Sequence, residues 1–222
     1  MGLNTIKMKH IFTILILLIT LSSCKNNKEL DILSDPEPLT ELKSQEEHMR
    51  AAVTYLTASR IDDALKELTQ CIRTYHNERA YIMKSDILLR EKRYQEYLEN
   101  TEDAMRFEEF QSPTLFMHNG LGYELTGEED KAKPFYEKAL LRWTLNGTTQ
   151  ENYRQVLTQK PFLTAVVFGK DVALKDFDKI FSDFGKTRQD TIIREQFRPL
   201  LETYDGTGMS YFYFEIEKNP TE

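Results

Sequence analysis

Two cysteines and four histidines are the side chains of this 222-residue chain best suited to covalent or metal chemistry. Cys24 follows Leu21-Ser22-Ser23 at the end of an apolar run from Ile11 to Leu21, a place where a thiol is open to covalent modification. Cys71 lies in a helical stretch at a position that wants a small side chain, so packing is its expected role. A reactive thiol would need exposure and a cationic neighbour. His10 belongs to the N-terminal basic stretch, and His48, His76 and His118 show no His-x-x-x-His spacing for a metal. Glu46-Glu47-His48 has no second histidine behind it. The chain has no Gly-rich phosphate loop and no Gly-x-Ser-x-Gly. The carboxylate pairs Glu108-Glu109 and Glu128-Glu129 fall at turns and helix ends, where charge is solvated. No catalytic constellation, metal site or cofactor is expected, and the expected activity is binding rather than catalysis.

Lys7, Lys9 and His10 precede the apolar run, and Lys25, Asn26, Asn27 and Lys28 follow it. A basic segment, a short apolar segment and small residues make a secretory signal peptide over residues 1–23. At about 1.5 Å per residue the run spans about 16 Å, well short of the roughly 20 residues a bilayer core requires. Met8 is an alternative start. Met1-Gly2 does not make a myristoylation motif, because Ile6 stands where Ser or Thr is needed. The cysteine placed directly after the small residues resembles a bacterial lipobox. That resemblance implies cleavage before Cys24, diacylation of its thiol and acylation of the new amine. The absence of Asp at position 25 then implies the outer membrane of a two-membrane bacterium, facing the periplasm.

Residues 24–44 hold Asn, Lys, Asp, Glu, Ser, Pro36 and Pro38 with few large apolar groups, and are expected to act as a flexible tether. The net charge is −7, which excludes phosphate-backbone binding to nucleic acid as a main activity. The same balance argues against general electrostatic adhesion to anionic lipid and leaves anchoring to acyl chains. About 180 residues beyond the tether suffice for a real core. With Cys24 acylated, Cys71 has no partner for an internal disulfide.

Residues 45–146 repeat. Ala52, Ser85 and Gly120 are each followed three residues later by Tyr55, Leu88 and Tyr123, twelve later by Ala64, Tyr97 and Ala132, and nineteen later by Cys71, Ala104 and Ala139. The units run over about 45–77, 78–112 and 113–146, so successive starts lie 33 and 35 residues apart. The mean matches the 34 residues of the tetratricopeptide (TPR) repeat, and the pattern of small residues resembles that family. The third unit fits best, through Phe116, Gly120, Tyr123, Gly127, Ala132, Tyr136 and Ala139. Tyr97 departs from it where a small residue is wanted, and should open the second helix pair locally. The resemblance implies an all-α, right-handed helical-hairpin solenoid. It also implies a concave groove lined by the first helix of each unit: Met49, Val53 and Leu56, then Ile82, Asp86, Leu89 and Arg90, then Met117, Leu121 and Leu125. This wall lacks the Lys/Asn/Arg clamp that such domains use on a C-terminal carboxylate. Either the chain fills the groove itself or an apolar segment of a partner does.

Past Asn146-Gly147 helix signals continue without the period. One helix is expected from Thr148-Thr149-Gln150-Glu151 to about Gln159, another from Pro161 to Val167, a third over Val172–Phe184, and a fourth over Ile192–Leu201 bent at Pro199. Residues 147–208 are expected to cap the array. The aromatic tail 209–222, with Tyr211-Phe212-Tyr213-Phe214, is too β-prone for a helix and is expected to pack back on the solenoid or to form an exposed contact strip. The functional expectation is a lipid-anchored envelope adaptor that binds a protein or peptide. The alternatives are an immunity-type lipoprotein that neutralises a toxin, or an accessory subunit of an outer-membrane assembly or uptake complex. The oligomeric state is left open.

Overall fold

The computed structural model describes residues 44–218, with side chains described as far as Glu215. The signal segment, Cys24 and the tether up to residue 43 lie outside the described residues. Ten α-helices fill the described part, divided between two compact units that meet in sequence at Arg142 and Trp143.

The first unit is three helical hairpins: α1 (Gln45–Thr57) with α2 (Ile61–Tyr75), α3 (Glu78–Arg90) with α4 (Tyr94–Ala104), and α5 (Pro113–Leu125) with α6 (Glu129–Asn146), whose last turn, residues 143–146, belongs to the second unit. Its start is set by a capping box. The Ser44 hydroxyl accepts from the Glu47 amide, and the Glu47 carboxylate accepts from the Ser44 amide at 2.7 Å. Each hairpin turns at its fifteenth residue, in the left-handed region: Ser59 (φ 58°), Lys92 (φ 58°) and Gly127 (φ 83°). The next amide closes the same bond each time, from Arg60 to Tyr55 O, Arg93 to Leu88 O and Glu128 to Tyr123 O, at 2.8–2.9 Å. Only the third turn uses the residue that takes this conformation without strain.

Within each pair the crossing point is made by small residues. Ala52, Ala64 and Ser85 are wholly buried. A Cβ on Gly120 would stand 2.6 Å from the Tyr136 ring and 3.0 Å from the Ala132 carbonyl, so α5 and α6 meet at a distance only glycine permits. Tyr97 is also buried, at the position where a small residue was expected. Its ring does not stay within its own pair but reaches α5, where Gly122 leaves room: a Cβ there would come within 3.3 Å of the ring. Asn100 holds that pair together by donating to Tyr81 O and the Ser85 hydroxyl.

The second unit contains α7 (Tyr153–Phe168), α8 (Lys170–Phe184), α9 (Arg188–Thr203) and α10 (Met209–Lys218). The two helices expected on either side of Pro161 are one helix. Pro161 lies inside α7 among buried Val156, Leu157, Phe162, Leu163 and Ala165, and burial of this face outweighs the roughly 3 kcal/mol cost of an interior proline. The aromatic tail is helical through Lys218, against the local expectation. Met209 and Phe212 share one face and are buried; Phe212 stacks on Phe162 (centroids 4.4 Å apart) and on Tyr204 (4.7 Å). Tertiary burial of a helical face overrides the strand preference of the aromatic run. The tail thus packs on α7 of its own unit.

One buried carboxylate organises this unit. Asp190, without solvent exposure, completes a capping box with Thr187 at the start of α9 and accepts from Tyr153 Oη (2.8 Å) and Arg154 Nε (2.9 Å) on α7. Burial alone would raise its pKa; the donors from Thr187, Arg154 and Tyr153 more than reverse that and hold it well below the usual carboxylate range.

Candidate binding groove

The face where ligands were expected is carried by α1, α3 and α5, and α3 packs directly on α5. The three helices present it unequally. On α1, Met49, Val53 and Leu56 are half-buried, an apolar strip still open to solvent. On α3, Ile82 is half-buried, Arg90 is exposed and Leu89 is buried. On α5, Met117 and Leu121 are fully enclosed, and Leu125 is half-buried at the helix end. The surface available for docking is thus narrower than the sequence pattern suggested: Met49, Val53, Leu56 and Ile82, with Arg90 at its edge and Leu125 beyond.

Asp86 sits on this face and is engaged. Its side chain keeps a third of its exposure, and its Oδ1 lies 3.4 Å from His118 Nε2. His118, on α5, is buried; its Nδ1 is 2.7 Å from the Tyr97 hydroxyl on α4, and the two rings meet edge to face. One histidine therefore bridges three helices of two successive units. Burial lowers the His118 pKa and Asp86 opposes that; burial raises the Asp86 pKa, with His118 and Arg90 opposing. Both groups are pushed toward neutrality. The cluster has the members of a proton relay, yet His118 and Tyr97 are closed off from solvent, so what it does is tie the second hairpin to the third. Sequence reasoning missed it. His118 shows no motif, and Tyr97 reads only as a misfit; the two lie 21 residues apart and meet through the repeat geometry.

A second polar bridge lies inside the first hairpin, where His48 Nδ1 is 2.8 Å from Glu67 Oε2, both buried. Cys71 beside it is fully enclosed, and burial raises its pKa, with Glu67 adding to the rise, so its thiol is held protonated. Among the described residues no group of three or more His, Cys, Asp or Glu side chains is arranged to hold a metal ion. None of the described helices is long and apolar enough to cross a membrane.

No protein-family model matches the sequence, and no curated protein matches it. Several solved structures are similar to it. The crystal structure of MamA matches with 18% identity and a TM-score of 0.43, over 63% of this chain and 77% of that one. A tetratricopeptide repeat protein from Parabacteroides merdae matches with 18% identity and a TM-score of 0.46, over 80% and 68%. PilF of Pseudomonas aeruginosa matches with 19% identity and a TM-score of 0.47, over 81% and 78%.

Proposed function

We propose that this chain is a non-catalytic adaptor that captures a protein or peptide on the open part of its concave face. We further propose that it is held at the cell envelope by acylation of Cys24, at the outer membrane and facing the periplasm. The observation that carries the first part is the strip of Met49, Val53, Leu56 and Ile82, which stays half-exposed while Met117 and Leu121, at the positions of Met49 and Val53 in the third hairpin, are enclosed. An apolar strip with an arginine at its edge suits an amphipathic helix or an extended segment that buries apolar side chains and sets a carboxylate against Arg90. The second part rests on the residues around Cys24 alone.

A photo-crosslinking side chain at Ile82 should give a discrete adduct in envelope membranes that disappears when Val53→Asp is added, while the same probe at exposed Lys179, on α8, gives none. Loss of the adduct together with loss of the helical circular dichroism signal would mean that Val53 serves the core instead. Incorporation of an alkyne palmitate analogue should vanish in Cys24→Ala, and persistent labelling overturns the anchor.

A further inference from the structure

The face of the first unit opposite the groove carries a charge pattern that neither the repeat nor the adaptor reading requires. A cleft of about 400 Å³ opens between α2 and α4, floored by Leu65 and Leu88 and with Thr69 and Gln70 on its wall. Four cations line it, Lys66, Arg73, Lys84 and Arg93, against two acids, Asp62 and Glu96. This local excess of positive charge sits on a chain whose net charge is −7.

Both acids are already taken by one cation. Arg93 makes a two-pronged bond to Glu96, from Nε at 2.7 Å and Nη2 at 2.6 Å, and reaches Asp62 at 3.3 Å. Nearby Asp103 accepts from Tyr81 at 2.6 Å and pairs with Arg106. Among the described residues no carboxylate comes within ion-pair distance of Lys66, Arg73 or Lys84. Lys84 is the telling one. It is half-buried, and on α3 it lies two residues from both Ile82 and Asp86, about 200° around the helix, so it points away from the groove. Burial, with Arg93 and Arg73 adding repulsion, lowers its pKa against the pull of Glu96 and Asp103. An ammonium drawn out of water beside other cations is costly unless an anion meets it. The repeat does not demand it, since the same position holds Ala51 in the first unit and Asn119 in the third.

We infer that this cleft is a binding site for a compact doubly charged oxyanion of the phosphate type. Lys84 is the central donor, Arg73 and Lys66 close over the charge, and Thr69 and Gln70 supply neutral hydrogen bonds. Two surplus cations balance a phosphate group, which carries about −1.5 to −2 at pH 7. The apolar floor leaves room for a small organic substituent. The group can belong to a soluble phosphate ester or to a lipid headgroup.

The full chain should be titrated with inorganic phosphate by calorimetry and thermal shift, against chloride at matched ionic strength. The expected result is binding with a dissociation constant of about 1 mM or tighter, with a phosphate-dependent rise in Tm. Lys84→Met keeps the stem and removes the charge, so the free protein should melt no lower than the parent, while phosphate affinity falls at least about tenfold. Arg73→Gln, at an exposed site, should weaken it less, and carries the test should Lys84→Met fail to fold. Co-sedimentation with phosphatidic acid vesicles but not phosphatidylcholine vesicles, lost in the variants, assigns the lipid headgroup; phosphate binding without vesicle binding assigns a soluble ester. Equal effects of phosphate and chloride, or phosphate binding unchanged in both variants, overturn the site.

Discussion

The two units reach stability by different routes. The hairpin unit repeats its determinants, with a small residue at every crossing, one left-handed residue at every turn and a packed seam between successive pairs. The C-terminal unit concentrates them in a stack of Phe162, Phe212 and Tyr204 and in the single carboxylate of Asp190, which serves α7 and α9 together. A repeat tolerates local misfits such as Tyr97, because the neighbouring unit can absorb them. A hub has no neighbour to share its loss.

The largest expected effect therefore falls on the hub. Phe212→Ala should cost about 3–5 kcal/mol and release α10, read as loss of amide protection from residue 209 onward while the hairpins keep theirs. Equal loss in both units would erase the contrast. In the hairpin unit, the tightest crossing should answer next. Gly120→Ala forces a methyl against Tyr136 and should lower stability by about 1–3 kcal/mol in chemical denaturation, whereas Gly147→Ala, which meets no side chain within 4 Å, should respond only to its backbone angle.

Acid should separate the units further. His118 is less basic folded than unfolded, so its contribution is intact above about pH 6.5 and is lost as pH falls below that value toward its folded pKa. Asp86, more easily protonated folded than unfolded, gives part of this back at still lower pH. Asp190 loses its contribution in the same direction as His118 but in a lower pH range. Its contribution is full above about pH 4 and is lost only as pH drops through its much lower folded value. Amide protection in α5 should thus fall as pH drops below about 6.5 while protection in α9 holds, and His118→Gln should flatten that fall. The smallest change is a gain. Lys92→Gly relieves a left-handed lysine and should stabilise by about 1 kcal/mol, bringing the second turn up to the third; a loss would show that the Lys92 stem packs.

The array was legible because its signals are local and periodic. Ala52, Ser85 and Gly120 mark the crossings, and Gly127 marks a turn whose partners, Ser59 and Lys92, can be found only by counting. The C-terminal unit was half legible. Pro161 reads as a boundary, and Tyr211-Phe212-Tyr213-Phe214 as a strand, because local preference contains no record of the buried faces that decide both. The groove shows the same limit. Register identified Met49, Val53, Ile82, Met117 and Leu121 as one wall, but whether each stays open depends on what packs over it, and Met117 and Leu121 are enclosed. The cleft around Lys84 has no motif in the sequence, since Lys66, Arg73, Lys84 and Arg93 converge only once α2 and α4 have both packed on α3.

The seams between hairpins also differ in kind. The third hairpin is fastened to the second by Tyr97 and Asp86 on His118, by the Glu78 carboxylate on the Ser112 amide at 2.9 Å, and by Tyr123 on Glu102 at 2.6 Å. The first hairpin meets the second through apolar packing of α2 on α3 and the exposed pair of Arg93 with Asp62. Mechanical load applied at the N-terminal end, where the proposed anchor attaches, would meet the less fastened seam first. Tension along the tether is expected to detach the first hairpin before the bridged pair behind it, and with it the half-exposed strip on α1.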